Sequence, residues 1–209
     1  MGQEKTLIRF DRMPDSDRFT AAIAQIDAAN AADPNRESYQ GREEPKEILY
    51  SRRMSDWLMR LAPDASDALR LAVHGQHICR WTILRSSYPM DRTGYLRWRN
   101  ECKRMHAEKL GEIMRNVGYE PSTINRVQSL VRKERLKVDS EAQLLEDVVC
   151  LVFLENYFAE FSRQHDQAKL IDIVRKTWKK MSPGGHEAAL KLPLSHDCRA
   201  LVEKALRKE

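Results

Sequence analysis

The chain has 209 residues, of which 42% are hydrophobic and 32% charged. This balance fits one globular domain with a charged surface. No stretch reaches the roughly 20 apolar residues that a membrane helix needs, so we expect no membrane partner. Lys and Arg number 36 against 31 Asp and Glu, and the net charge of +5 is compatible with an anionic partner.

The predicted elements are helical. Glycine and proline number eight each and fall mainly between segments with a helical repeat, while long alternating strand patterns are absent. We therefore predict an all-α fold in a single domain over residues 1–209. Helices are predicted over about 16–33, 45–62, 66–81, 95–117 and 122–136, from 139 through the apolar run 148–154, over 167–181, and from 195.

The cysteines indicate the cellular setting. None of the four, Cys79, Cys102, Cys150 and Cys198, is paired at the C-x-x-C spacing that closes a metal site or a redox turn. The N-terminal segment has no apolar core behind positive charges, as a secretory signal would. We therefore expect a cytoplasmic protein with reduced cysteines that pack in the core.

Three polar residues fall on helix faces that should be buried. His106 lies four residues before Leu110, and His77 lies four residues after Val73 in the predicted third helix. Asp147 belongs to the most apolar helix of the chain. A buried carboxylate is costly unless it is paired or binds a metal.

These side chains permit two interpretations. Two imidazoles and a carboxylate, delivered by three helices, could bind a divalent metal such as Fe, Mn or Zn. They could equally satisfy one another in a hydrogen-bonded core network. Helical spacing does not show whether the three helices converge, so both interpretations stay open.

Arginines are dense around His77. Arg80 follows it by three residues, and Arg85 opens a loop that contains Tyr88. Guanidinium groups bind phosphate and carboxylate through paired N–H donors. We predict that Arg80 and Arg85 bind an anionic substrate, with Gln76 and Tyr88 as further contacts. A solvated basic surface is the alternative.

Aromatic residues alternate with these arginines at Trp81, Tyr88, Tyr95 and Trp98. Such interleaving is typical of surfaces that stack RNA bases. Core packing explains the tryptophans equally well. RNA is therefore a candidate partner, supported by charge and composition alone.

Three segments resemble the HD-type metal-dependent phosphohydrolase superfamily in order and spacing: 76–80 (QHICR), 106–108 (HAE) and 145–151 (LEDVVCL). The resemblance implies an HD-like helical bundle over about 47–161, followed by C-terminal helices over 165–209. It also implies metal ligands at His77, His106 and Asp147, with Glu146 as a possible general base. In this chain Gln76 and His77 stand where the superfamily has its His-Asp pair, so the standard metal site is not carried over.

A second resemblance is closer and covers most of the chain. The segments 76–81 (QHICRW), 94–98 (GYLRW) and 145–148 (LEDV) look like a family of bacterial and fungal proteins with a domain of unknown function. Members are sometimes labelled glutamyl-tRNA synthetase. This chain has no nucleotide-binding signature of such a synthetase and is too short for its domains. The resemblance implies a fold and no activity.

Three functions follow from these observations. The first is a divergent metal-dependent enzyme that hydrolyses a phosphate-bearing or otherwise anionic small molecule. The second is a metal-free ligand-binding module on the same fold, which the replaced superfamily ligands favour. The third is a protein associated with RNA or tRNA.

Overall fold

The computed structural model describes residues 15–136 and 138–207. Within these ranges there are ten α-helices and one two-stranded antiparallel hairpin, so the predicted all-α class is confirmed. None of the described helices is long and apolar enough to cross a membrane. In chain order the helices and strands are Asp15–Ala31 (α1), Arg36–Tyr39 (β1), Arg42–Pro45 (β2), Lys46–Leu61 (α2), Asp67–His74 (α3), Arg92–Asn116 (α4), Pro121–Arg132 (α5), Ser140–Val152 (α6), Phe158–Arg163 (α7), Gln167–Trp178 (α8), Pro183–Leu190 (α9) and His196–Leu206 (α10).

The chain divides into two compact units. Unit 1 contains the described residues up to Ser51 and the segment Ser66–Arg132, and unit 2 contains Arg52–Ala65 and the described residues from Lys133 onward. The division falls inside α2, whose first part belongs to unit 1 and whose second part belongs to unit 2.

The core of unit 1 forms where α4 and α3 pack on α5 and where α1 packs on α3 and α4. The prediction that His106 and Leu110 share a buried face of α4 is confirmed, and Trp98, Cys102 and Met114 lie on the same face at a spacing of four. Burying an aliphatic side chain such as that of Leu110 stabilises a fold by about 1.5–3 kcal/mol. This stripe carries His106 into the interior.

The core of unit 2 is built around α6, which packs on α9, while α8 and α7 pack on α10. As predicted, α6 is buried on several sides: Leu145, Val148, Leu151 and Val152 are 0% exposed. The helix then continues into the π-helical turn Phe153–Tyr157. Asp147 lies on this buried helix.

The predicted third helix over residues 66–81 is wrong in its second half. Helix α3 ends at His74, and the chain continues in turns to the 3₁₀-helix Arg80–Thr82. Gly75 lies so close to Leu110 that a Cβ would come within 2.4 Å of its side chain. Cys79 has a φ of +53°, which an α-helix cannot contain. His77 therefore lies in a turn and not on a helix face.

Other boundaries also differ from the sequence predictions. No helix was predicted between residues 181 and 195, but α9 lies there. Ser182 caps it by accepting a hydrogen bond from the Gly185 N–H, with Pro183 as the first helical residue. The hairpin of β1 and β2 was not predicted, because its charged strands show no alternating apolar pattern. Gly118, at a φ of +84°, follows α4 in the left-handed conformation that is typical of glycine after a helix C-terminus.

Candidate polar site in unit 1

The turn that carries Gln76 and His77 is held by a buried residue of α1. Asn30 is 0% exposed, and its Oδ1 accepts a hydrogen bond of 2.9 Å from the Cys79 N–H. Its Nδ2 donates to Ser51 Oγ of α2 at 3.2 Å. A left-handed non-glycine residue such as Cys79 is strained, so these contacts help to fix the turn.

The start of α2 is positioned by Asp33. The Oδ2 atom of this buried side chain accepts a hydrogen bond of 3.1 Å from the Glu47 N–H, as a capping group does. Glu47 and Tyr50 are three residues apart and both buried, so they share one face of α2. This face meets His77.

His77 contacts side chains on both of its ring edges and on one ring face. Its ring stacks on Tyr50 with 4.0 Å between centroids and 9° between planes. Nε2 lies 2.7 Å from Arg80 Nη1, and Nδ1 lies 3.5 Å from Glu47 Oε2. Because a guanidinium only donates, Nε2 must be the acceptor. This geometry fits a neutral imidazole that carries its proton on Nδ1, toward Glu47.

Glu47 is a buried carboxyl group without a full set of partners. Glu47 is 6% exposed, and its Oε2 atom makes no hydrogen bond of normal geometry within residues 15–136 and 138–207. Loss of water around the group raises the pKa of Glu47 from 4.5 to about 7, against the opposing effect of the Arg80 charge. The ionised form is therefore costly in this place.

His106 lies beside His77 with 5.9 Å between ring centroids. It is 1% exposed, and neither ring nitrogen makes a hydrogen bond of normal geometry to any described residue. Burial lowers the pKa of His106 from 6.5 to about 3, the Arg80 charge adds to this effect, and the nearby Gln76 backbone opposes it. His106 is therefore a neutral side chain that keeps hydrogen-bonding capacity beyond its interaction with the Gln76 backbone.

We call Glu47, Gln76, His77, Arg80 and His106 the unit 1 polar cluster. Seven buried side-chain atoms of the described residues lack a hydrogen-bond partner, and four of them belong to this cluster. The four are Glu47 Oε2, Gln76 Oε1 and both ring nitrogens of His106. Buried polar atoms are nearly always hydrogen-bonded in folded proteins, so such a concentration calls for an explanation.

The predicted anion-binding residues are placed differently from one another. The Arg80 guanidinium lies 4.7 Å above the Trp98 ring in addition to its contact with His77. Arg85 instead donates from Nη1 to the Tyr88 carbonyl at 3.0 Å and from Nη2 to the Asp91 carbonyl at 3.4 Å. Arg85 thus holds its own loop together. Binding of a substrate by Arg85 and by the half-buried Tyr88 stays a prediction.

Glu146 and Asp147 belong to unit 2, where their carboxylates are paired. Glu146 contacts the buried Lys133 Nζ, and Lys180 Nζ lies 3.8 Å from it. Asp147 Oδ1 accepts from the Ser182 N–H at 2.8 Å, and Oδ2 accepts from the Ser182 hydroxyl at 2.5 Å. These contacts attach α9 to α6.

The predicted metal ligands do not fit a metal site as they are arranged. His77 Nε2 accepts a hydrogen bond from Arg80, and both Asp147 oxygens accept from Ser182. In the part of the chain that the structure describes, no three His, Cys, Asp or Glu side chains are grouped to hold an ion. We derive no step through a metal, and binding of Fe, Mn or Zn stays a prediction.

Sequence reasoning missed Glu47 and Asn30. A signal for both was present in the helical spacing. Asn30 follows Ile26 by four residues on the buried face of α1, and Glu47 precedes Tyr50 by three on that of α2. Each lies at the end of its helix, where a polar residue is ordinarily explained as a solvated terminus.

These features define an all-α protein whose first unit contains a buried, incompletely hydrogen-bonded polar cluster. A family model described as Domain of unknown function (DUF4202) matches residues 20–202. The chain belongs to this family, which confirms the predicted type of family. No curated protein and no solved structure shows a significant match. Similarity to the HD superfamily stays a prediction.

Proposed function

We propose that the unit 1 polar cluster binds a small anionic molecule, a phosphate-bearing or carboxylate compound, and that Arg80 contacts its charged group. The supporting observation is the set of buried atoms without hydrogen bonds next to this cation. Each such atom costs about 1–3 kcal/mol unless it finds a partner. A bound molecule would supply those partners.

Arg80 is suited to the anion-binding role. A guanidinium has five N–H groups in a planar fork, and the hydrogen bond to His77 uses one of them. Stacking on Trp98 and the contact with His77 restrict the side chain before a ligand arrives. Restriction in advance lowers the entropic cost of binding.

Hydrolysis of the bound molecule is our proposal for the activity. The Glu47 carboxyl group and the neutral His77 imidazole, 3.5 Å apart, are the kind of pair that transfers protons from water in acid–base catalysis. Release of inorganic phosphate from phosphomonoesters measures this activity. Glu47→Gln should abolish it while leaving binding of inorganic phosphate in place.

The binding proposal is tested by thermal unfolding with inorganic phosphate, citrate and a short single-stranded RNA. We expect phosphate or citrate to raise the Tm of the wild type, less so at high salt. Arg80→Lys should weaken the response about tenfold, because an ammonium lacks the paired donors. Arg97→Lys, an exposed arginine of α4, is the matched control.

Two results would contradict this proposal. One is equal stabilisation of the wild type and Arg80→Lys by every anion. The other is a response confined to RNA and unchanged by Arg80→Lys, which would favour an RNA-associated protein.

A metal-dependent hydrolase is the second candidate, because Glu47 Oε2 and the His106 nitrogens are unused donor atoms that a metal accepts. Elemental analysis of protein purified without added metal tests it. Metal present in the wild type and absent from both His106→Gln and Asp147→Asn would support the ligands predicted from the sequence. Metal lost from His106→Gln and Glu47→Gln only would support a carboxylate ligand from α2.

A further inference from the structure

We infer that the ligand of the unit 1 polar cluster is a polyhydroxylated anion, a small molecule that carries several hydroxyl groups beside its phosphate or carboxylate. This inference rests on the proposed function and specifies its ligand class. It follows from which hydrogen bonds the cluster leaves unmade.

The unmade bonds are mainly on the acceptor side. Gln76 Oε1 has no donor among the described residues, and Glu47 Oε2 faces only His77 Nδ1 at 3.5 Å, without a hydrogen bond of normal geometry. A carboxylate brings acceptors only and leaves both oxygens without a new donor, and inorganic phosphate adds only the P–OH donors of the group that Arg80 binds. The ligand must therefore also carry O–H or N–H groups.

His106 distinguishes between these two kinds of donor. A neutral imidazole has one N–H donor and one acceptor nitrogen; here one nitrogen interacts with the Gln76 backbone, and neither makes a hydrogen bond of normal geometry. A hydroxyl group can donate to one such atom and accept from another, whereas an ammonium group only donates. Hydroxyl groups therefore match the whole set of unmade bonds, and an amino acid matches part of it.

Three residues of the cluster, Glu47, Arg80 and His106, lie next to His77. Glu47 Oε2 lies 3.5 Å from His77 Nδ1, and the His77 ring lies 5.9 Å from the His106 ring. Gln76 adjoins His77 in the same turn, and Arg80 contacts His77 from its other edge. His77 thus lies between Arg80 on its Nε2 edge, toward the expected anion, and Glu47 on its Nδ1 edge, toward the expected hydroxyl groups.

The experiment compares ligands that differ in these groups. Isothermal titration calorimetry measures the Kd of glucose 6-phosphate, ribose 5-phosphate and gluconate as hydroxylated anions. Inorganic phosphate supplies the anion alone, glucose the hydroxyl groups alone, and glutamate an anion with an ammonium group. We expect at least one hydroxylated anion to bind the wild type about tenfold more tightly than phosphate, as two added hydrogen bonds would give.

A pair of glutamine variants tests where the hydroxyl groups bind. Gln76→Met removes an acceptor of the cluster while keeping the length of the side chain. We expect it to weaken binding of the hydroxylated anion severalfold more than binding of inorganic phosphate, and so to reduce the preference between them. Gln128→Met is the control, because Gln128 is outside the unit 1 polar cluster and donates to a backbone carbonyl, that of Ala107. This control should keep the wild-type preference.

The outcomes separate this inference from the proposed function. If phosphate binds in an Arg80-dependent way but no hydroxylated anion binds better, the inference is wrong and the proposed function stands. If glutamate binds better than the hydroxylated anions, the ligand class is an amino acid and the inference is wrong. If no anion binds in an Arg80-dependent way, both are wrong.

Discussion

Glu47 in unit 1 and Glu146 in unit 2 are both buried, at 6% and 3% exposure, yet their surroundings differ. Glu146 contacts Lys133 and lies near Lys180, whereas Glu47 keeps an oxygen without a hydrogen bond. The difference shows that burial of a carboxylate does not by itself mark a functional site. Incomplete pairing of the buried group is the more informative observation.

The polar residues near these two glutamates also differ in how completely they are hydrogen-bonded. In unit 2, Asp147 accepts hydrogen bonds from Ser182 and Gln143, and in unit 1 His106 and Gln76 have unpaired atoms. The unit 2 group therefore behaves as a structural network that joins helices. The buried atoms of the unit 1 polar cluster that make no hydrogen bond lower the stability of the fold, and a bound ligand would offset this loss.

The largest expected effect comes from making the same substitution in both units. Glu146→Gln removes the carboxylate that Lys133 and Lys180 share, and loss of a buried ion-pair partner typically costs about 3–5 kcal/mol. Glu47→Gln should not destabilise the protein at pH 8, because it removes a carboxylate whose ionised form is costly. Urea unfolding of both variants measures the difference. Equal losses of unfolding free energy would remove the distinction between the two units.

A second prediction uses the opposite pKa shifts of the unit 1 polar cluster. The pKa of Glu47 rises from 4.5 to about 7 on folding, so folding takes up a proton in that window and stability falls as the pH rises. The pKa of His106 falls from 6.5 to about 3, so folding releases a proton there and stability rises with pH. Between pH 4.5 and 6.5 the two effects oppose each other in the wild type.

Single substitutions should therefore reveal pH dependences of the unfolding free energy that cancel in the wild type. In Glu47→Gln, the unfolding free energy should increase by up to about 1.4 kcal/mol per pH unit between pH 4.5 and 6.5. In His106→Gln it should decrease with pH by a similar amount. Urea unfolding at pH 4.5, 5.5 and 6.5 measures both slopes. Parallel slopes in the two variants would show that these residues do not titrate as their burial implies.

The sequence was sufficient for most of the helices but not for the site. Periodicity located α4 and its buried His106, and it located α6 with Asp147, because both helices carry long apolar stripes. It placed His77 on a helix that ends before that residue. The reason is a close tertiary contact of Gly75 with Leu110, which no local pattern contains.

The partners of the buried acidic residues also could not be predicted from local sequence patterns. Glu146, Asp147 and Glu47 look alike in sequence, as acidic residues next to apolar ones. What separates them is the presence of Lys133 and Ser182 near the first two, at 13 and 35 residues from them along the chain. Such contacts depend on how helices pack, so the spacing rules of a single helix do not predict them.

The smallest expected effect comes from two glutamines. Gln143 in unit 2 donates to Asp147 Oδ1 at 3.1 Å and to the Lys180 carbonyl at 2.8 Å. Gln76 in unit 1 is 4% exposed and has an unpaired Oε1. Methionine has nearly the same length as glutamine and cannot donate these bonds. Gln143→Met should therefore cost about 1–2 kcal/mol, from lost hydrogen bonds of which one involves a charged acceptor.

Gln76→Met should change the unfolding free energy by less than about 0.5 kcal/mol, or increase it slightly, because the removed oxygen has no partner to lose among the described residues. The two variants are compared by thermal and urea unfolding without added anions. A bound anion would stabilise the wild type through Gln76 and so enlarge the apparent loss in Gln76→Met. A loss for Gln76→Met as large as that for Gln143→Met would mean that Gln76 belongs to a satisfied core network. The cluster of unit 1 would then be structural in the same sense as that of unit 2.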